Sequence, residues 1–187
     1  MYKQYVKRSY GTENISFLVA GTLMILISSL FVNAGAPLRL DVNESDPNKI
    51  VMNTVISSAT SGLITALTSH QLNLRSELYG KTIKQEDRFK NRYYYDIKQL
   101  CNAVLAGLVS VTSSSSNIEL WAACVIGLIG SLIFNSTKKI IVRNEIDDPL
   151  DISEVHGFCG IWSILAVGIF DRDMGMIYTG KLTQFYI

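Results

Sequence analysis

Charge is scarce in this chain: Asp, Glu, Lys and Arg make up 18% of its 187 residues, against roughly a quarter in an average soluble domain. The deficit is uneven. Charges gather in a few polar stretches and almost vanish from the runs between them, which argues against an ordinary soluble fold and predicts several membrane spans. A net charge of +1 offers no electrostatic footprint for a polyanion, so no nucleic-acid partner is expected. Cysteine is sparse too. Cys101, Cys124 and Cys159 each sit in or beside an apolar run, without metal-ligand or redox spacing, and read as small buried hydrophobes. No phosphate loop, nucleophile–base pair or metal-ligand cluster is legible, so the sequence predicts neither an enzyme nor a cofactor.

What the chain has is apolar length. It is 48% hydrophobic with a mean hydropathy of +0.24. Five segments could cross a bilayer whose core of ~30 Å needs about 20 helical residues. They run from about Ile15 to Val32, Ile50 to Leu67, Leu100 to Ser113, Leu120 to Thr137 and Ile152 to Phe170. The third is short. The second is rich in Ser, Thr and Ala, which suits a helix enclosed by others or facing an aqueous path. Small residues recur four apart at Ser58/Gly62, Gly62/Ala66, Ala103/Gly107 and Gly127/Ser131. In lipid such residues let backbones approach and gain dispersion contacts, so the set predicts a compact bundle. The expected fold is an all-α integral membrane bundle of about five transmembrane helices, forming one domain over residues 1–187.

The loops set the orientation. If the five spans alternate, thirteen of the seventeen Lys and Arg fall on one side. They are Lys3, Lys7 and Arg8; Arg75, Lys81, Lys84, Arg88, Lys90, Arg92 and Lys98; Lys138, Lys139 and Arg143. Arg39, Lys49, Arg172 and Lys181 fall on the other. The positive-inside rule then puts the N-terminus in the cytoplasm of a multi-pass protein, with the plasma membrane as its expected site. The basic start, apolar run and Ala34-Gly35-Ala36 also mimic a cleavable leader, but about eighteen apolar residues exceed the usual 7–15 of such a segment.

One stretch is chemically informative: Asp147-Asp148-Pro149-Leu150-Asp151-Ile152-Ser153-Glu154-Val155-His156-Gly157-Phe158-Cys159-Gly160-Ile161-Trp162. It reads locally as a helix start, with Asp148 as N-cap, Pro149 at the first helical position and Asp151 three residues past the cap. Carboxylates there also complement the positive end of the helix dipole. From that start His156 lies about 12 Å into the helix, approaching the midplane of a ~30 Å core. A titratable side chain at that depth faces a bundle interior or a water-filled path. Imidazole donates and accepts hydrogen bonds while neutral, which suits the binding or deprotonation of a small cation. Gly157 and Gly160 remove side chains beside it, for a close helix contact or for a pore. His70, at the end of the second span, reads as interfacial.

The run DDPLDISEVHGFCGIWSILAVGIF resembles the tenth transmembrane helix of the ammonium transporter (Amt/Mep/Rh) family, with its D-D-P-x-D-x-x-x-x-H-G-x-x-G-I core. Ala103 to Thr112 resembles the eighth helix, Asn33-Ala34-Gly35 the sixth and Asn53-Thr54 the seventh. Order and spacing agree over nearly the whole chain, and the match is nearer to Amt/Mep than to Rh. The resemblance implies helices six to ten, one half of an inverted-repeat fold, in a family whose members form trimers and conduct ammonium or ammonia. It implies a homo-oligomer, or a partner supplying the missing helices. By position, His156 matches the second of the family's paired pore histidines, and Ile152 matches an apolar pore-lining position. Asp148 and Asp151 match acidic positions of structural character. The aromatic gate position falls on Val32, with Phe31 beside it as a substitute. Ser29 stands at a usual Trp, Ala36 at a usual hydroxyl, and Glu154 at a usually small or apolar position.

Overall fold

Helices make up every regular element among the described residues of the computed structural model, which are 14–36, 46–78, 97–144, 146, 148 and 150–180; of 69–78 and 142–143 only the backbone is described. Pro149, the acidic loop around Glu44, most of the basic loop between the second and third segments, and the His70 side chain lie outside them.

Each helix begins where local chemistry favours it. Asn14 opens α1 (Ile15–Gly35), its Oδ1 accepting from the Ser16 amide at 2.9 Å. Asp46 accepts from the Asn48 amide at 2.9 Å, and Pro47 takes the first position of α2 (Pro47–Leu78). Then follow α3 (Ile97–Thr112) and α4 (Leu120–Arg143). The fifth helix, α5, starts as a π-helical turn (Ser153–Phe158) and continues as α-helix (Cys159–Phe170). A single turn, α6 (Met176–Thr179), follows, closed by Gly180 in the left-handed region at φ 67.

Among the described residues, four helices are long and apolar enough to cross a membrane: α1, the Pro47–Thr68 part of α2, α4 and α5. The third predicted segment is shorter. The 16 residues of α3 reach about 24 Å, less than the ~30 Å core. Its surroundings explain how that is tolerated, because α3 packs against α1, α2, α4 and α5 and is enclosed mainly by protein.

The packing inverts that of a soluble bundle. Along α2, Asn53, Thr54, Ser57, Ser58, Ser61 and Thr65 are buried, while Met52, Val55, Leu63 and Leu67 are exposed. Thr54 and Ser58 donate to carbonyls of their own helix, while Ser57, Ser61 and Thr65 bond across the seam. Ser57 donates to the Gly107 carbonyl and Ser61 to the Ala103 carbonyl, each at 2.7 Å. Thr65 meets the Ser131 hydroxyl at 2.8 Å, and Asn135 donates to Thr65 at 3.1 Å. These contacts need backbones in near contact. A Cβ at Gly107 would meet the Ser57 carbonyl oxygen at 2.6 Å, and one at Gly127 would also collide with that oxygen.

Ion pairs show that α2 to α5 alternate in direction, and Asn33 near the end of α1 meets Thr54 near the start of α2, so α1 runs against α2. At one end Glu119, before α4, meets Lys49 of α2 at 3.8 Å and Arg172, after α5, at 2.9 Å. At the other end Asp151, before α5, meets Lys138 of α4 at 3.3 Å and Lys98 of α3 at 4.0 Å. One cysteine expectation is corrected: Cys101 and Cys159 are buried, but Cys124 is exposed on the outer face of α4.

Candidate functional site

The entry to α5 is built by two carboxylates with different tasks. Asp148 accepts from the Ile152 amide at 3.1 Å through Oδ1 and from the Ser153 amide at 2.7 Å through Oδ2. Partial burial pushes its carboxyl up, but hydrogen bonds from Ser153, Ile152 and Glu154 outweigh that and leave it below the ordinary carboxylate value. The helix it serves begins later than the local reading predicts. Leu150 and Asp151 are not helical, so His156 lies in the first turn, about 6 Å from Ile152, rather than two turns in. Two features delay the helix: Asp151 adopts a left-handed backbone at φ 56, and the first turn is π-helical.

Asp151 is a junction more than a cap. It is buried, and its Oδ2 accepts from Asn102 Nδ2 at 2.7 Å and from Lys138 Nζ at 3.3 Å. The left-handed conformation is one that Asp tolerates better than most residues, and here three helices hold it in place. Asn102 stands one residue before the Ala103–Thr112 motif and was not itself a candidate in the sequence; nor was Lys138. Asn33 and Thr54, from two further motifs, also meet, with Asn33 Nδ2 donating to Thr54 Oγ1 at 3.3 Å. Asn53 Nδ2 donates to the Ser115 and Ile118 carbonyls at 2.9 and 3.2 Å.

His156 is exposed. It stands on a face of α5 that the other described helices leave open, with Ile152 53% and Ile161 60% exposed. Nothing lies within 4 Å of a Cβ placed at Gly157 or Gly160. The glycines therefore make no tight contact within this bundle; they flatten its open face. π-helical turns inside longer helices occur frequently at functional sites, and this one carries the histidine. Phe31 and Val32 are also open, at 74% and 66%, but they are not gathered around His156. Helix α1 packs chiefly on α2 and α3. Both residues lie near its C-terminal end, and α1 and α5 run the same way, so they sit toward the opposite end of the bundle. Chemically, the open face offers an imidazole that can exchange a proton or a hydrogen bond in apolar surroundings, with space beside it.

Alternating apolar helices that bury their hydroxyls, are pinned by ion pairs at both ends and leave one histidine-bearing face open define a multi-pass α-helical membrane protein. Its family follows from sequence: the model of the Ammonium Transporter Family matches residues 2–186, and the chain belongs to that family. It is 28% identical over 177 residues to ammonium transporter 1 member 1 of Solanum lycopersicum, covering 90% of this chain and 33% of the relative. Against ammonium transporter 1 member 1 of Arabidopsis thaliana the identity is 26% over 176 residues, with 90% and 32% covered. The solved structure of Saccharomyces cerevisiae Mep2 has a TM-score of 0.69 at 22% identity, over 90% of this chain and 38% of that one. Candida albicans Mep2 gives 0.66 at 23%, over 88% and 32%. The described helices thus form part of the all-α ammonium transporter fold, and the chain spans about a third of the length of the curated relatives it matches.

Proposed function

We propose that this chain forms one wall of a transmembrane path for ammonium or ammonia, with the open face of α5 lining it. The observation that carries the reading is His156, exposed beside Gly157 and Gly160 on a helix whose other side is packed, in a chain of the ammonium transporter family. The opposite wall comes from helices outside the described bundle, supplied within an oligomer or by other helices of the assembly. Ile152 lines the path on the side of the entry loop, and Phe31 and Val32 stand toward its other mouth. Asp148, Pro149, Asp151 and Asn33 are structural, and Gly157 and Gly160 leave the path open. The N-terminus is cytoplasmic, in keeping with thirteen basic residues on that side against four, and the plasma membrane is the proposed site.

A second reading, a family member that does not conduct, is favoured by Val32 standing where the family carries an aromatic gate. Uptake of methylammonium by cells lacking their own ammonium transporters separates the two. The path reading predicts uptake above an empty vector, falling at least tenfold in His156→Ala at equal protein in the membrane. Uptake equal to the empty vector, with the protein shown to reach the membrane, supports the second reading.

A further inference from the structure

The entry to α5 is fixed at both ends and holds one residue more than an α-helix needs between them. On the loop side Asp151 is buried, in the left-handed region at φ 56, and bonded to Asn102 and Lys138. On the helix side the Cys159 thiol donates to the Gly130 carbonyl at 3.6 Å, and Trp162 Nε1 to the Ile126 carbonyl at 3.2 Å. Between these anchors the chain takes the π turn. Its Cys159 amide bonds to the Glu154 carbonyl, five residues back, where an α-helix would use that of Val155. The extra residue decides which side chains face in. Glu154 and Val155 are 1% and 3% exposed, whereas Ser153 and His156 lie on the open side. Glu154 Oε2 is thereby enclosed without a hydrogen bond, a costly condition for a polar atom away from water.

Passing the extra residue out of the π turn restores α-helical bonding, from the Cys159 amide to the Val155 carbonyl. Each residue before Cys159 then takes its predecessor's place, a rotation of about 100° and a shift of about 1.5 Å. Val155 replaces Glu154 inside, and Glu154 moves to the exposed place of Ser153. His156 enters the place of Val155, beside Ala103, Ala106 and Phe134. The open side leaves room for this rotation. Ile152 is 53% exposed and joins the entry turn, and a Cβ at Gly157 or Gly160 meets nothing within 4 Å. Asp148, which caps the amides of Ile152 and Ser153, then caps those of Ser153 and Glu154. Each register buries one polar side chain and exposes the other, which keeps the two close in free energy.

We propose that the entry of α5 is a two-register switch: the π register presents His156 on the open face, and an α register withdraws it into the seam with α3 and α4 while bringing Glu154 out. The switch stands whether or not the path conducts, because it rests on the helical register alone.

Nitrogen-15 NMR of the protein in lipid bilayers, labelled at histidine, tests this. The chain has two histidines, and His156→Gln assigns the signals of His156. The expected result is two His156 environments in exchange in the parent, one major and one minor. Glu154→Leu, which stays inside without an unpaired oxygen, reduces the minor one at least tenfold. Deleting Ser153 removes the extra residue itself, so the minor environment becomes the main one. A parent with a single His156 environment overturns the proposal. So do two environments whose ratio is unchanged in Glu154→Leu, whether or not the deletion variant folds.

Discussion

Asp151 concentrates more of the fold in one side chain than its place in a capping pattern suggests. It joins α3, α4 and α5 through Asn102, Lys98 and Lys138 and holds a left-handed backbone. Removing it leaves an amide and an ammonium without their acceptor. Asp151→Ala is therefore expected to destabilise the protein by roughly 2–3 kcal/mol. Asp151→Asn, which keeps the conformation and one acceptor oxygen, should cost less, as read from thermal unfolding in detergent. The depressed carboxyl of Asp148 makes a different prediction. Its stabilisation is fully present above the ordinary carboxylate value of about 3.9 and is lost as pH falls through its lower folded value. Asp148→Ala should thus cost about 1 kcal/mol at neutral pH and flatten the acid side of the stability profile. A variant whose acid limb matches the parent's would remove Asp148 from this role. At this scale the sequence revealed the type of residue better than its partner. The acidic motif was legible, but the positive φ and the cross-helix pairing to Lys138 depend on a tertiary approach that no local pattern encodes.

Helix α2 shows what small and polar residues are for when lipid surrounds the bundle. Its serines and threonines were legible as a buried face, because a membrane helix gains nothing by hiding leucine from hydrocarbon. The four-apart small residues were legible as packing points for the same reason. The helix entry to α5 was not: pattern placed the start at Pro149, whereas the chain begins its helix at Ile152 and with a π turn. Nor was the exposure of Cys124 legible, since an apolar run in a membrane helix has no solvent face to mark which side is packed. Glycines separate the two kinds of surface experimentally. Gly107→Ala drives a methyl against Ser57 and Ser61 and is expected to cost about 1–3 kcal/mol by thermal unfolding. Gly157→Ala meets nothing within 4 Å and should leave the unfolding midpoint at or above the parent's.

At the scale of the whole molecule, alternation of α2 to α5 rests on ion pairs at both ends, while their sidedness in the membrane rests on loop charge. The proposed sidedness puts the glycan acceptor Asn43 outside, so it should be modified when the chain is made in eukaryotic cells. Asn135, in the sequon Asn135-Ser136-Thr137, is held inside the bundle by Thr65 and Ser131 and should not be. A glycan on Asn135 alone would reverse the orientation. The central claim is that the open face of α5 borders the path rather than lipid, and a steric block tests it most directly. Gly160 has nothing within 4 Å of its Cβ, so Gly160→Phe can fold without displacing the described helices. Methylammonium uptake by this variant is compared with the parent and with Leu128→Phe on the exposed face of α4, at equal protein in the membrane. The account predicts that Gly160→Phe abolishes uptake while Leu128→Phe retains it; parental uptake in Gly160→Phe would contradict it.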